Sequence, residues 1–283
     1  MELPFQIDLS GKVAVVTGGS GVLGSVLSEA LAEAGAKVVI LARNKEKIDE
    51  VVERIEEKGG ECLGYSVDVL DKDELERVHE KVLEKFGPCQ ILINGAGGNH
   101  PKATTSTERL NLEDLEDDMQ RTLFDLEPGA VEGLFKLNFL GTLLPTQVFT
   151  KDMVEAGQAT VINISSMNAY RPLTKIPAYS GAKAAISNFT QWLAVYFADV
   201  GIRVNAMAPG FFLTEQNKNL MFKEDGAYSD RAHKILSQTP VERFGNPEEL
   251  VGTLLWLVDY QSSSFVNGIV VPIDGGFSAY SGV

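Results

Sequence analysis

The chain has 283 residues, of which 44% are hydrophobic and 23% charged, and its 25 Lys and Arg against 39 Asp and Glu leave a formal net charge of −14. A chain of this size buries a large core without disulfides or metals. Its acidic balance, with a pI near 4.7, speaks against general nucleic-acid binding, which needs clustered Lys and Arg. Cys62 and Cys89 lie in or beside apolar runs and read as buried thiols. His79, His100 and His233 are far apart and offer no metal-ligand spacing, so no metal is expected. The first eight residues lack a leader-like pattern and no run reaches 18 apolar residues, so a cytoplasmic protein without a membrane span is expected.

Short apolar, β-branched runs recur at 13–17, 37–41, 62–67, 90–93, 160–164, 202–206 and 269–271. Most are apolar on consecutive residues, as strands buried on both faces are. Helical periodicity fills the intervals. Residues 22–34 carry small and apolar residues along one face. Residues 45–58 place Ile48, Val51, Val52 and Ile55 at helical offsets, and 72–86 do the same with Leu75, Val78, Val82 and Leu83. Asn246-Pro247-Glu248-Glu249 reads as an N-cap, a first-turn proline and two acids on the helix dipole, opening a helix through Val258. Alternating β and α predicts an α/β fold: a Rossmann-type, doubly wound parallel sheet of about seven strands with right-handed crossovers, in a single domain over 1–283.

Two stretches break the rhythm. Residues 98–136 hold the acidic run Asn111-Leu-Glu-Asp-Leu-Glu-Asp-Asp118, and 211–245 hold Phe211, Phe212, Met221, Phe222 and Tyr228. Solvated elaboration is the bland reading. Long structured loops leaving the carboxyl ends of strands in an open sheet are also where substrates bind.

The first strand runs into Thr17-Gly18-Gly19-Ser20-Gly21-Val22-Leu23-Gly24 and then a helix. Glycines there permit a tight turn and let backbone N–H groups approach a pyrophosphate at the helix N-terminus; an ordinary turn is the alternative. After the second strand comes Leu41-Ala42-Arg43-Asn44, without the acid that holds the ribose hydroxyls of NAD. Arg43 reads either as a partner for the 2′-phosphate of NADP or as a surface arginine opening a helix. Tyr179 and Lys183 stand at i and i+4, on one helical face. An ammonium there favours the phenolate and draws the tyrosine pKa towards neutrality. With seven tyrosines such a spacing also arises by chance, but Ser166 lies 13 residues earlier, at the end of Val161-Ile-Asn-Ile-Ser-Ser166.

These residues give the chain a resemblance to the short-chain dehydrogenase/reductase family over essentially its whole length. The matching motifs are Thr17 to Gly24, Asp68-Val69, Asn94-Gly95-Ala96-Gly97, Asn138 in Leu137-Asn-Phe-Leu-Gly141, Ser166, Tyr179/Lys183, Arg203-Val-Asn-Ala-Met-Ala-Pro-Gly210 with Thr214, and Asp274-Gly-Gly276. Two departures occur: Val22 replaces a motif glycine, with Gly21 just before it, and Gly95 replaces the usual Asn.

The resemblance implies that Tyr179 exchanges the proton at the substrate oxygen and that Ser166 polarises the carbonyl. Lys183 would tune Tyr179 and hold the nicotinamide ribose, while Asn138 would position a water linking Lys183 to solvent. Gly18, Ser20, Gly21, Leu23, Gly24, Arg43, Asn44, Asp68, Val69, Asn94, Ala96, Gly97, Tyr179, Lys183, Pro209, Gly210, Phe212 and Thr214 would bind the cofactor, with NADP(H) expected over NAD(H). Ser165 keeps a structural role. A homotetramer is implied, built from the long helices after Asn138 and Tyr179 and a C-terminal strand within 265–283.

The segments Gly97-Gly-Asn-His-Pro-Lys-Ala-Thr-Thr105 and Ser165-Ser-Met-Asn-Ala-Tyr-Arg-Pro-Leu-Thr-Lys-Ile-Pro177 resemble the branch of the family that reduces D-fructuronate to D-mannonate. An anionic substrate of so acidic a chain needs a local positive site within a Debye length of about 8–10 Å. His100, Lys102, Arg171 and Lys175 are the candidates, with little acid expected nearby. Arg171 would clasp a carboxylate, and Asn99 and Asn168 would meet sugar hydroxyls. Competing readings are a gluconate 5-dehydrogenase, a 3-oxoacyl carrier-protein reductase, or a non-catalytic nucleotide sensor. A carrier-protein reductase needs a basic docking face. A sensor predicts loss of at least one of Asn138, Ser166, Tyr179 and Lys183, and all four are present. No nucleic-acid or membrane partner is expected.

Overall fold

The computed structural model describes residues 7–214 and 218–282. Positions 1–6, 215–217 and 283, at the ends of the expected domain and inside its second long loop, lie outside the described residues. Seven strands form one parallel sheet: β1 (Val13–Thr17), β2 (Lys37–Ala42), β3 (Cys62–Ser66), β4 (Ile91–Asn94), β5 (Ala159–Ile164), β6 (Ile202–Pro209) and β7 (Val270–Ile273). Their order is β3-β2-β1-β4-β5-β6-β7, so the winding reverses between β1 and β4. Ligands of open α/β sheets sit at the carboxyl ends of such a switch.

The helices are α1 (Val22–Glu33), α2 (Lys45–Glu57), α3 (Lys72–Lys85), α4 (Pro128–Phe135), α5 (Gly141–Ala156), α6 (Pro177–Tyr196), α7 (Lys218–Met221), α8 (Asp230–Ser237), α9 (Val251–Val258) and α10 (Tyr260–Ser263). Alternate strand residues feed two cores. On one face Ala14, Val16, Val38 and Ile40 meet Leu27 and Leu31 of α1, Ile48 and Val51 of α2, and Leu254 of α9. On the other, Val13, Val15, Val39 and Leu41 meet Leu75 of α3, Phe149 of α5 and Leu193 of α6. Burial on both faces is why these strands read as continuous apolar runs. The helix starts follow their cap chemistry: the side chains of Asn44 and Asp71 accept the backbone N–H of Lys47 and Glu74 at the openings of α2 and α3. Cys62 and Cys89 are buried and unpaired. Among the described residues, no helix is long and apolar enough to cross a membrane.

The structure revises the two irregular stretches. Residues 98–136 are not one long loop, since α4 occupies their end, with Pro128 at its first position and Leu134 buried. It continues through a π turn at Lys136–Leu140 into α5. Pro145 has no N–H for the Gly141 carbonyl four residues back and its ring crowds that carbonyl, so the helix loosens in the turn before it. The described part of 211–245 carries α7 and α8 around a small core of Met221, Ala232, Ile235 and Phe244. Among the described residues of the C-terminal stretch, the four of β7 pair as a strand and 275–279 form turns.

Candidate active site

The carboxyl ends of β1 to β4 surround a cleft of about 300 Å³. Gly18, Ser20 and Gly21 line it from the turn after β1, Arg43 and Asn44 from that after β2, Asp68 and Val69 from that after β3, and Ala96 and Gly97 from that after β4. Backbone closeness, more than side chains, shapes this region. Gly18 has φ +67°, and a Cβ there would stand 3.0 Å from the Ala96 nitrogen. A Cβ on Gly24 would stand 2.1 Å from the Gly18 oxygen. The Gly21 N–H donates to the Gly18 carbonyl at 2.9 Å, so the turn closes although Val22 replaces a motif glycine. Thr17 Oγ1 accepts the N–H groups of Gly95 and Ala96 at 3.1 and 3.2 Å, tying the β4 turn to β1.

Lys47, Leu137 and Gly95 also line the cleft and were missed in the sequence. For Lys47 the signal was its place in the first turn of α2, three residues after the Asn44 cap. Other expected cofactor residues stand elsewhere. The Asn94 side chain does not line the cleft: strand alternation turns it into the core, where its Nδ2 donates to Thr146 Oγ1 and Asn163 Oδ1, both at 2.9 Å. Leu23, in the first turn of α1, packs against the core. Gly24 serves the turn by its closeness to Gly18. Pro209, Gly210, Phe212 and Thr214 follow in line from the end of β6. There a Cβ on Gly210 would lie 2.6 Å from Asp274 Cα, and Phe212 packs against Gly245.

The expected catalytic set converges beside this cleft. Asn138 comes from the π turn and is fully buried. Its Nδ2 donates to the carbonyls of Gly98 and Leu134 at 2.8 and 2.9 Å, and its Oδ1 accepts from the Gly98 N–H at 3.3 Å. Ser166 follows the end of β5. Tyr179 and Lys183 occupy successive turns of α6, where Pro177 sets the first position. Lys183 Nζ donates to the Ile164 carbonyl at 2.8 Å and stands 5.7 Å from the Tyr179 ring centre. A Cβ on Gly97 would lie 2.7 Å from Asn138 Oδ1 and 3.3 Å from Lys183 Nζ, so the cofactor turn abuts the catalytic side chains directly. Ser165 is structural, as expected: its hydroxyl bonds the Lys183 carbonyl at 3.1 Å and Ser187 Oγ at 2.7 Å.

Electrostatics correct one expectation. Tyr179 is not drawn towards neutrality; burial pushes its pKa above the usual value, and a hydrogen bond with Ser166 only partly opposes this. Burial also pulls Lys183 down to about 8. Desolvation disfavours both charged forms at this site. The result is a protonated Tyr179 at neutral pH, suited to donating a proton to a carbonyl oxygen.

The substrate candidates gather at the same edge, but not as free cations. Asn99 Nδ2 donates to Thr104 Oγ1 at 3.2 Å, and His100 Nδ1 accepts the Lys102 N–H at 3.2 Å. Acid does lie nearby. Lys102 pairs with Glu127 at 2.9 Å. Lys234 of α8 pairs with Glu108 at 2.8 Å, and Lys175 and Arg109 add to the pull that holds the Glu108 carboxyl below its usual value. Arg171 donates to the Tyr280 carbonyl. The Lys175 carbonyl accepts the Thr105 N–H at 2.8 Å, and the Val241 N–H reaches Gly275 at 3.3 Å. These links join four segments into a ring about the mouth: the loop after β4, the loop after β5, the C-terminal turns and the stretch around α8. Asn168 is buried at 5% exposure, with its N–H on Ser166 Oγ at 3.3 Å.

Comparison with known proteins agrees with this geometry. The profile of the family described as short chain dehydrogenase matches residues 12–225. An uncharacterized oxidoreductase of Haemophilus influenzae is 54% identical over 283 residues, covering 100% of this chain and 99% of the relative. UxuB, an uncharacterized oxidoreductase of Bacillus subtilis, is 51% identical over 281 residues, covering 99% and 100%. A crystal structure of a Haemophilus protein, provisionally named a D-mannonate oxidoreductase and holding NAD, superposes with a TM-score of 0.95 at 53% identity, covering 100% of both chains. A gluconate 5-dehydrogenase of Burkholderia cenocepacia, in complex with NADP and tartrate, gives 0.81 at 28%, covering 98% of both. The chain belongs to the short-chain dehydrogenase family and is a nicotinamide-dependent oxidoreductase.

Proposed function

We propose that the enzyme reduces a keto sugar acid, with D-fructuronate to D-mannonate the favoured reaction, and runs the reverse where product accumulates. The full-length likeness to the Haemophilus protein provisionally named a D-mannonate oxidoreductase carries this reading. When bound, the nicotinamide nucleotide supplies the hydride. Of the chain's own groups, Ser166 orients the carbonyl, Tyr179 gives its proton to the carbonyl oxygen, and Lys183 and Asn138 fix the floor beneath them. Lys102, Lys175 and Arg171 bring donors to the mouth, where a carboxylate can replace Glu127 on Lys102 and the Tyr280 carbonyl on Arg171.

The test compares kcat/KM for fructuronate, 5-ketogluconate and fructose in the parent, Arg171→Ala and Lys102→Ala. Expected is a preference for fructuronate that falls selectively in both variants. Faster reduction of 5-ketogluconate favours a gluconate 5-dehydrogenase, the reading that the Burkholderia likeness supports. Equal reduction of fructose overturns the carboxylate site.

The proposal includes NADP(H) over NAD(H). Ala42 leaves no acid at the end of β2, and Arg43 and Lys47 both line the cleft; the NAD in the Haemophilus structure argues the other way. Fluorescence titration decides: Arg43→Ala weakens NADPH far more than NADH, and a parent that prefers NADH refutes it. The reading also includes a cytoplasmic homotetramer. In its favour, α6 exposes Trp192, Val195 and Tyr196, with Trp192 stacked on Tyr196 at 4.7 Å between ring centres.

A further inference from the structure

A line of buried polar side chains starts at Asn138 and crosses the sheet to α6. The Thr142 hydroxyl donates to the Asn138 carbonyl at 2.9 Å, and the Thr146 hydroxyl donates to the Thr142 carbonyl at 2.7 Å. Asn94 Nδ2 of β4 donates to Thr146 Oγ1 and to Asn163 Oδ1 of β5, its register partner, both at 2.9 Å. Asn163 Nδ2 donates to Thr190 Oγ1 of α6 at 2.9 Å, and the Thr190 hydroxyl donates to the Ile186 carbonyl at 2.8 Å, one turn beyond Lys183. An unbroken run of hydrogen bonds therefore joins the helix that carries Asn138 to the helix that carries Tyr179 and Lys183. Asn163 and Thr190 have no exposed surface.

The polarity of this run permits one arrangement. A threonine has a single hydroxyl hydrogen, and once it is spent on a helix carbonyl the oxygen can only accept, so each amide must turn its nitrogen towards it. Asn94 spends both amide hydrogens here and its buried Oδ1 is left without a donor, a cost that two apolar side chains of similar shape would avoid. What the amides supply and apolar side chains do not is a fixed register. Among the described residues, Asn94 to Thr146 is the one hydrogen bond between α5 and the sheet. Helix α6 is fastened to β5 at Thr190 and again where Ser165 bonds the Lys183 carbonyl. Asn138 Oδ1 and Lys183 Nζ meet over Gly97, where an added Cβ would lie 2.7 and 3.3 Å from them. A slip of either helix along the sheet would open that meeting point.

We propose that Thr146, Asn94, Asn163 and Thr190 are positioning residues that hold α5 and α6 in register, so that Asn138 stays opposite Lys183 and Tyr179 during turnover. The inference rests on the catalytic roles given above to Asn138, Tyr179 and Lys183 and is independent of which keto acid is reduced. None of the four side chains lines the cofactor cleft, so their loss acts on the rate and not on cofactor affinity.

The test uses Thr146→Val and Thr190→Val, which keep the shape and remove the hydroxyl. Each lowers kcat per folded enzyme by about 10-fold, as a sub-ångström misplacement does, with Kd for the nicotinamide nucleotide unchanged within about twofold. The double variant loses little more than either single one, because both cut the same run. Thr190→Ser, which returns the hydroxyl, restores kcat. Thr150→Val is the control: its hydroxyl makes the same kind of bond, to the Thr146 carbonyl at 2.6 Å, but lies off the path to α6, and its kcat matches the parent. A purely structural role lowers Tm and leaves kcat per folded enzyme unchanged; that result overturns the proposal, as do an equal loss in Thr150→Val and losses that multiply in the double variant. Should a valine variant fail to fold, Thr190→Ala leaves room for water on the Asn163 amide and lowers kcat in the same way. Normal turnover in Tyr179→Phe overturns the catalytic roles and this positioning together. A parent that prefers another carbonyl compound refutes the keto sugar acid alone, and the same ratios are then taken with that compound.

Discussion

The two sides of the carboxyl edge are built differently. The cofactor side is made of backbone: Gly18, Gly24 and Gly97 bring main chain within contact of main chain or of catalytic side chains, and Thr17 fastens two turns together. The mouth is made of side chains reaching between loops, as in Lys234 to Glu108 and Lys102 to Glu127, with all four partners exposed to solvent. A backbone cradle binds one shape and tolerates no added atom. Exposed ion pairs contribute little to stability and part readily. The difference teaches that the fixed cofactor is held by steric closeness, whereas the entering substrate meets contacts that can be exchanged.

The largest expected effect lies where the two sides meet. Tyr179→Phe keeps the ring and removes only the hydroxyl, so cofactor affinity holds and turnover falls by about 10²- to 10⁴-fold. A turnover within a few-fold of the parent would remove Tyr179 as proton donor.

Next come the glycines, which test the rigidity of the cofactor side. Gly24→Ala forces a methyl to 2.1 Å from the Gly18 oxygen. It should lower stability by about 1–3 kcal/mol, as overpacking does, and weaken NAD(P)H binding, read by denaturant titration and fluorescence. Gly97→Ala pushes on Asn138 Oδ1 and Lys183 Nζ, so kcat should fall more than cofactor affinity. If both glycines accept alanine without effect, the contrast between the two sides fails.

Titration sharpens the junction further. Lys183 is held at about 8 against its usual 10.5 by burial. Below about pH 8 the ammonium is charged and the cost of burying it is fully present. Between about 8 and 10.5 the folded lysine has lost its proton while the unfolded one keeps it, so stability gains from rising pH across that window. Activity moves oppositely: as the charge beside Tyr179 is lost, kcat/KM for carbonyl reduction should fall as pH rises through about 8. The inflection should be absent in Lys183→Met. An inflection that persists there belongs to another group.

The smallest effect is expected at the mouth. Glu108→Gln breaks an exposed pair, so Tm should move by no more than about 2–3 °C, while KM for an acidic substrate falls as Lys234 and Lys175 are released. A large loss of Tm would mean that the ring of loops is structural and that the two sides are not so different.

Most of the cofactor side was legible in the sequence because it is local. A strand buried on both faces, a glycine turn and a capped helix lie within one stretch, so β1, Gly18 to Gly24 and the start of α1 could be read from their own residues. The spacing of Ser166, Tyr179 and Lys183 is likewise set by one strand and one helix. Tertiary packing alone decided that Asn94 turns into the core, because it stands in register with Asn163 of β5 and beneath Thr146 of α5, both of which take its amide. It also decided that Glu108 meets Lys234, 126 positions away, and that Tyr179 stays above its usual pKa, since the cost of desolvation depends on everything packed around the group and not on the lysine four residues along. Local chemistry is written in neighbouring residues, whereas burial and pairing between distant segments exist only once the chain has closed upon itself.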